Sequence, residues 1–280
     1  EYISTIYESE AAFTNDSDTT MLLHMDGVND GTTFTDSSSN AHVMTASGNC
    51  VTKTAVKKFG TASAYFDGTS DWLRPASSSD FTFGSGDWTI EAWVNPSVSP
   101  PVGEVYNTAT GATTRLVIVA GTDYDVWGGY SSGWQNPELY GIDVATGLDS
   151  PTTGNWRHIC FLRDGSAFRG YDNGVQNVTT AASGTFGAQL TPSIGGTTGW
   201  GSWNGYIDEF RLSSVCRYPD GTTFSPNSTS VANATGNYVS TATTANASVS
   251  KVGIVITYKN QSGTNTLNTD IVAQVSADGG

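Results

Sequence analysis

The stretch Asn204-Gly-Tyr-Ile-Asp-Glu-Phe-Arg-Leu-Ser213 alternates large apolar side chains with charged ones, and this alternation decides the fold class. Its period of two predicts a β-strand with Asp208 on the same face as Tyr206 and Phe210. A carboxylate on a core-facing surface is costly unless it meets a cation or several hydrogen-bond donors. Because 12 Lys and Arg stand against 26 Asp and Glu, a bound hard metal ion, calcium, is a natural partner for Asp208.

Similar strand-like runs alternate with turn clusters from residue 21 to about residue 224, at the spacing of a β-sandwich. The clearest strands are predicted at residues 21–25, 62–66, 72–74, 88–94, 115–120, 156–162, 168–171, 193–194 and 206–212. No segment has a convincing helical period beyond one turn. The pattern predicts an all-β protein built from two antiparallel sheets.

The chain is expected to divide into four parts. Residues 1–19 are predicted to be an arm or linker, and residues 20–224 the sandwich. Residues 225–245 are rich in Ser, Thr, Asn and Ala, which is typical of a linker. Strand patterning returns in residues 246–280, which predicts the first strands of a second small β domain. We expect the chain to be a piece of a longer protein, because it starts without Met and ends abruptly.

Two turns are marked by their residues. Asp172-Asn-Gly174 contains the Asn-Gly pair that supplies positive φ in a tight type I′ hairpin. Asp67-Gly-Thr-Ser-Asp71 is predicted to join the strands on either side as a hairpin with a longer loop.

Charge and composition exclude several classes of partner. The formal net charge of −14 argues against nucleic acid and anionic membranes, because both need a positive protein surface. No apolar run approaches the roughly 20 residues of a membrane-spanning helix. The three cysteines are odd in number and lack C-x-x-C spacing, so no disulfide framework or zinc site is predicted.

Aromatic side chains are concentrated in residues 122–141, a Gly- and Ser-rich stretch that we predict to be a loop. Exposed aromatic faces beside Asp and Asn stack on sugar rings while the polar groups bind hydroxyls. The alternative is that these rings fill the concave sheet or contact a neighbouring subunit. The candidate ligand-binding residues are Tyr124, Trp127, Tyr130, Trp134, Tyr140, Trp200 and Trp203.

The sequence does not predict an enzyme. Glycoside hydrolysis needs two carboxylates flanking one bond, yet Glu91 stands alone in its strand and no Glu-x-Asp-x-x-Glu triplet occurs. The three histidines are not accompanied by a nucleophile motif.

Several motifs in order resemble one family. They include Asp87-Trp-Thr-Ile-Glu-Ala-Trp-Val-Asn-Pro96 and Tyr206-Ile-Asp-Glu-Phe-Arg-Leu212. The others are residues 22–27, 35–42, 65–73, 156–165 and 172–175. Together they resemble a laminin-G-like, concanavalin A-like jelly-roll domain of the pentraxin type over about residues 20–225.

The resemblance implies a jelly-roll sandwich with one structural calcium ion at its edge. The positions that match the family's calcium ligands are Asp36 and Asp208, with Asp26 as an additional ligand. In the alternative, Asp36 caps a turn and Asp208 bonds to neighbouring backbone amides.

The motifs also resemble versions of this domain in marine bacteriophage virion proteins. This resemblance implies a non-enzymatic structural or adhesion module on a phage fibre, tail or capsid surface. Its partners would be glycans or host cell-surface polysaccharide and other virion proteins, and a homo-oligomer is compatible with a fibre. The alternative is a carbohydrate-binding module of a secreted, extracellular bacterial enzyme or adhesin.

Overall fold

The computed structural model describes residues 11–98, 103–108, 115–120, 124–129, 142–143, 153–182, 191–196 and 202–226. The strands are β1 (Thr19–Leu23), β2 (Met44–Ser47), β3 (Val51–Lys53), β4 (Ser63–Asp67), β5 (Trp72–Pro75), β6 (Trp88–Pro96), β7 (Gly103–Thr108), β8 (Arg115–Ala120), β9 (Tyr124–Gly129), β10 (Ile142–Asp143), β11 (Arg157–Asp164), β12 (Ala167–Asp172), β13 (Val175–Ala181), β14 (Pro192–Ile194) and β15 (Asn204–Ser213). Single 3₁₀ turns lie at Ser79–Phe81 and Pro219–Gly221. None of the helical turns in these ranges is long and apolar enough to cross a membrane.

The strands form two antiparallel sheets, as predicted. The eight-stranded sheet has the order β13-β12-β11-β6-β15-β4-β3, and β1 also pairs with β15. The seven-stranded sheet has the order β10-β9-β8-β7-β14-β5-β2. The all-β prediction is therefore confirmed, and each of the nine predicted strands overlaps an observed one. The prediction of a loop at residues 122–141 is wrong for β9, which pairs with β8.

The core lies between the two sheets and follows the period-two pattern. In β6, Trp88, Ile90, Ala92 and Val94 belong to the core cluster. The intervening residues therefore face away from the core, on what we call the outer face of the eight-stranded sheet. These residues are also buried, so other parts of the chain cover the outer face along β6.

A β-bulge at Glu209 reverses which residues of β15 point into the core, and this corrects the prediction for Asp208. Before the bulge, Asp208 pairs with Trp93, and after it Arg211 pairs with Glu91. The extra residue brings both Ile207 and Phe210 into the core. Asp208 therefore shares the outer face with Trp93, and the prediction that it lies on the same face as Phe210 is wrong.

The bulge lies where β15 changes its neighbour. Residues Asn204 to Ile207 pair with β4, whereas Phe210 to Ser213 pair with β1. Glu209 has φ of 48°, a left-handed conformation that costs a non-glycine residue about 1–2 kcal/mol. Its side chain compensates, because it accepts hydrogen bonds from the Phe13 amide at 2.7 Å and from His24 at 2.8 Å.

One predicted turn is confirmed and the other is corrected. Asn173 and Gly174 both have positive φ and connect β12 to β13 as a hairpin. The turn from Asp67 to Asp71 connects β4 in one sheet to β5 in the other. It is a crossing between sheets rather than a hairpin, and the buried Asp71 carboxylate fixes it by accepting the Asp67 amide at 2.7 Å.

All described residues lie within one compact unit, Ser9–Ser228. The sequence assigned residues 1–19 to an arm or linker, but Phe13 is 5% exposed and packs over the Arg211 guanidinium at 4.0 Å. Residues 13–19 therefore belong to the folded domain. Apart from residues 225 and 226, the predicted linker and the strands after it lie outside the described residues.

A buried ionic cluster occupies the outer face where β6, β11 and β15 meet. Glu91 is completely buried and accepts hydrogen bonds from Arg211 at 2.8 Å, His158 at 3.1 Å and the Tyr218 hydroxyl at 2.8 Å. Burial alone would raise the pKa of Glu91, but the Arg211 charge and these hydrogen bonds lower it to about 2. The cluster also holds residues 214–226 over the sheet through Tyr218.

Replacing Glu91 should destabilise the domain strongly. In Glu91→Gln, the guanidinium of Arg211 stays buried without a counter-charge, which costs about 3–5 kcal/mol. Chemical denaturation at neutral pH measures the change in unfolding free energy. Asp18→Asn, at an exposed position, is the control and should change stability by less than about 0.5 kcal/mol. A loss of stability no larger than the control's would mean that the cluster is not a stabilising element.

The contribution of Glu91 should also depend on pH. Its pKa is about 2 in the folded protein against the ordinary glutamate value of 4.5, so the ionised form stabilises the fold above pH 4.5. This stabilisation is lost as the pH falls toward 2. The stability difference between wild type and Glu91→Gln should therefore shrink in acid. A difference that stayed constant from pH 7 to pH 3 would contradict the charged pairing.

Candidate functional site

Two tyrosines lie side by side on the outer face of the eight-stranded sheet, beyond the part that residues 13–18 and 214–226 cover. Tyr65 on β4 pairs in register with Tyr206 on β15. Their ring centroids are 5.1 Å apart at an interplanar angle of 46°, and both side chains are partly exposed. Ala64 and Phe66 on either side of Tyr65 point into the core, which fixes its outward direction. We call this pair the tyrosine platform.

Amide and carboxylate groups border one side of the tyrosine platform. Asp67 and Asn204, two residues along each strand, are also paired in register. The Asn49 side-chain amide donates to the Asp67 carboxylate at 2.7 Å, and the Asn204 amide donates to the Asp67 carbonyl at 3.1 Å. The hydrogen bond from Asn49 lowers the pKa of Asp67, so this side carries an ionised acceptor together with amide groups.

Lysines border the opposite side. The Lys53 ammonium lies 6.0 Å from the centroid of the Tyr65 ring and 2.5 Å from Asp30. The Lys58 ammonium lies 4.1 Å from the centroid of the Trp93 ring, on the same outer face. Residues 54–62 form the β3–β4 loop. Lys53 directly precedes this loop, and Lys58 belongs to it. A lysine side, a pair of rings and an amide-carboxylate side therefore follow one another along the direction of β4.

Two of the predicted metal ligands hold the β3–β4 loop in place. Asp208 accepts the amides of Lys58 at 2.7 Å and Phe59 at 3.1 Å, and also that of Glu209 at 2.9 Å. Burial raises the pKa of Asp208 to about 7 despite these bonds. Asp26 accepts hydrogen bonds from the amide and hydroxyl of Thr61.

The third predicted ligand caps a turn. The Asp36 carboxylate accepts the amides of Leu22 and Ser38 at 2.9 Å and that of His42 at 3.0 Å. Burial would raise the pKa of Asp36, but these amides and the His42 ring outweigh it and lower the pKa. The His42 ring is in turn 3.0 Å from Asp80.

These contacts do not fit a calcium ion shared by Asp26, Asp36 and Asp208. Calcium needs about six to eight oxygen ligands, whereas the carboxylates here already accept N–H donors. Within the described residues, no group of three or more Asp, Glu, His or Cys side chains is placed to hold a metal ion. The contacts match the alternative in which Asp36 caps a turn and Asp208 binds backbone amides. The calcium ion stays a prediction.

If the amides alone satisfy these carboxylates, the melting temperature of the protein should not change when calcium is added or removed by a chelator. In that case the Tm values measured in calcium and in EDTA are equal. Asp208→Asn should lower stability by about 1–3 kcal/mol, because it turns an NH₂ group toward at least one backbone N–H. A Tm that rises with calcium in the wild type, but not in Asp208→Asn, would instead establish the predicted ion.

Most of the predicted ligand-binding aromatics lie outside the part of the chain that the structure describes. Tyr124 and Trp127 lie in β9, while Tyr130, Trp134, Tyr140 and Trp200 lie outside the described residues. Trp203 is completely buried in the core, and its indole N–H donates to the Tyr206 carbonyl at 3.3 Å. Trp203 therefore supports the platform strand from within and presents no surface to a ligand.

The sequence analysis did not select the tyrosine platform. Tyr206 was assigned to the core face because the bulge at Glu209 has no signature in the local sequence. Tyr65 carried a usable signal, since it alternates with the apolar Ala64 and Phe66 in a short strand. Its pairing with Tyr206 joins residues 141 positions apart, which only the sheet register reveals.

A family model identifies this fold. The model named Laminin_G_3, of the concanavalin A-like lectin/glucanases superfamily, matches residues 67–221. The chain belongs to this superfamily. The matched region runs from the crossing at Asp67 through β15, and the predicted family resemblance is confirmed at this level. No curated protein matches the chain significantly.

Solved structures of the same fold share little sequence with this chain. Domain 4 of the GH43 extracellular arabinanase AbnA from Geobacillus stearothermophilus, in complex with arabinotriose, has 19% identity and a TM-score of 0.51, with 70% of this chain and 92% of that chain covered. The binding domain of Paraclostridial Mosquitocidal Protein 1 has 11% identity and a TM-score of 0.53, with 71% and 49% covered. The botulinum neurotoxin serotype D binding domain has 12% identity and a TM-score of 0.52, with 71% and 48% covered. This chain thus spans about half of each toxin domain, and the likeness concerns the fold.

Proposed function

We propose that this superfamily member is a non-catalytic module that binds glycans at the tyrosine platform. The observation that carries the proposal is the pair of partly exposed rings, Tyr65 and Tyr206, on adjacent strands with hydrogen-bonding groups on both sides. Aromatic faces pack against the C–H surface of a sugar, while carboxylates, amides and ammonium groups bind its hydroxyls. A solved relative of this fold, the arabinanase domain, is in complex with arabinotriose, which is compatible with such a role.

The geometry of the platform favours a rigid, preformed site. Both tyrosines lie on strands whose alternate residues are buried in the core, and Trp203 packs beneath them. Side chains on regular strands lose little further conformational entropy when a ligand binds, which favours affinity. The flanking groups Asn49, Asp67 and Asn204 are already oriented by hydrogen bonds to one another.

Three acidic residues on the outer face are buried, which supports a non-catalytic role. Glu91 is 0% exposed, Asp208 is 0% exposed and Glu209 is 1% exposed, and each is occupied by hydrogen bonds. A glycosidase needs two carboxylates that reach the same bond from opposite sides, and these three do not reach the surface. A reducing-sugar release assay with the glycans that bind tests this part of the proposal, since sustained release would overturn it.

For the biological setting, we propose a virion surface, with the module decorating a phage fibre, tail or capsid and attaching it to host polysaccharide. The support is the resemblance of the ordered motifs to phage virion proteins. The second candidate is a carbohydrate-binding module of a secreted enzyme or adhesin, which the likeness to an extracellular arabinanase domain favours. Mass spectrometry of density-purified particles and of the particle-free secreted fraction separates the two, because the chain should be found in only one of them.

Removing the platform rings should weaken glycan binding. Tyr65→Ala and Tyr206→Ala should each lower affinity about 2- to 10-fold, since a ring contact contributes about 0.5–1.5 kcal/mol. Binding is measured first on a glycan array and then by titration calorimetry with the bound oligosaccharide. Tyr65→Phe and Tyr206→Phe keep the ring and are the matched controls, and near-wild-type Tm values show that each variant folds.

A separate variant tests the aromatics predicted at residues 122–141. Trp127→Ala combined with Trp134→Ala should leave binding intact if the platform is the site. Lost binding in this variant, with full binding in Tyr65→Ala and Tyr206→Ala, would move the site to the seven-stranded sheet. Loss of particle or oligomer assembly without loss of binding would mark that region as a structural contact.

A further inference from the structure

Lysine is distributed unevenly in this chain. Three of the five lysines, Lys53, Lys57 and Lys58, fall within six residues, in a protein of net charge −14. Several arginines are instead committed to internal ion pairs, as in Arg211 with Glu91 and Arg217 with Asp16. The β3–β4 loop and its flanking residue Lys53 therefore carry all the lysines of the described residues, and the Lys53 ammonium lies 6.0 Å from the centroid of the Tyr65 ring.

The position of this loop is fixed rather than accidental. Buried Asp208 holds the amides of Lys58 and Phe59, Asp26 holds Thr61, and the Ser63 hydroxyl donates to the Val56 carbonyl at 2.5 Å. The loop is thus attached to the outer face at several points along its length.

The lysines differ in what their ammonium groups contact. Lys57 is exposed, and its only polar contact within the described residues is the Thr54 carbonyl at 3.0 Å. Lys53 pairs with Asp30, but the side chains are 33% and 59% exposed. Exposed pairs of this kind contribute little and are exchanged readily for another anion. Lys53 is therefore available to a ligand lying on Tyr65, and Lys57 adds an exposed cation on the adjoining β3–β4 loop.

We infer that the tyrosine platform selects anionic saccharides, with the ligand's carboxylate or sulfate group at Lys53 and Lys57 and its neutral hydroxyls at Asn49, Asp67 and Asn204. This inference rests on the proposed glycan binding and adds the class of ligand. The order of these groups along β4 sets the direction of the sugar chain, because Asp67 repels an anionic group at the other end. Strong overall negative charge would otherwise disfavour such a ligand, so the local lysines are required for recognition.

The experiment compares charged glycans with uncharged counterparts of the same sugar chain. The array carries uronate oligosaccharides beside their methyl esters, and sulfated oligosaccharides beside their desulfated forms. The wild type should bind the charged member of a pair about 3- to 10-fold more tightly, as expected for two exposed ionic contacts. The preference should weaken as salt rises above about 0.15 M, where the Debye length is about 8 Å. A preference seen only in the uronate pairs identifies a carboxylate as the recognised group, and one seen only in the sulfated pairs identifies a sulfate.

Variants assign the preference to the lysines. Lys53→Gln combined with Lys57→Gln should equalise affinity for the two members of each pair, whereas Lys53→Arg with Lys57→Arg should retain the preference. Asp30→Asn should strengthen binding of the charged members, because it removes the anion that competes for Lys53. Tyr65→Ala should weaken both members alike.

Each outcome decides between distinct conclusions. Equal binding of charged and neutral members by the wild type, or a preference that survives in the double Gln variant, overturns this inference and leaves the proposed glycan binding in place. Binding to no glycan on the array overturns both. A preference that disappears in the double Gln variant and returns in the double Arg variant supports the inference.

Discussion

The β-bulge at Glu209 is the constraint on which the eight-stranded sheet depends. It lies where β15 leaves β4 and begins to pair with β1. Without an extra residue at that point, the same strand could not direct Ile207 and Phe210 both into the core. The bulge also places Asp208 and Arg211 on the outer face. One backbone irregularity thus creates a continuous apolar interior and a polar outer surface with a defined pattern of charge.

The outer face uses these charges in two ways. Where Arg211 faces Glu91, His158 and Tyr218, the charges are buried, neutralise one another and are covered by residues near both ends of the domain. Where Asp208 faces the β3–β4 loop, a buried carboxylate binds backbone amides and positions lysines at the surface. The first arrangement stabilises the fold and the second shapes a surface, although both depend on the same strand.

The proposed binding surface follows from what these two arrangements leave uncovered. The closed part of the outer face lies over β6 and β11, so the rings on β4 and β15 remain partly exposed. Rigid strands present these rings, and the loop held by Asp208 and Asp26 supplies a positive border. A negatively charged protein can in this way offer a local site for an anionic ligand, because electrostatic interactions between exposed charges are screened beyond about 8–10 Å.

The sequence by itself determined the fold class, the positions of nine strands and the Asn-Gly hairpin, because period-two alternation and turn residues are local properties. The family was indicated separately, by the resemblance of the ordered motifs, and the family model confirmed it at the level of the superfamily. It did not determine the direction of Tyr206 and Asp208, since a bulge depends on which strands meet at that point and not on the residues inside it. The turn at Asp67 was misassigned as a hairpin for a related reason. A short turn has the same residue pattern whether the strands it connects lie in one sheet or in two. Trp203 was selected as a candidate ligand-binding residue, whereas packing between the sheets buries it. Only the tertiary structure decided these features, because each depends on pairing between residues far apart in the chain.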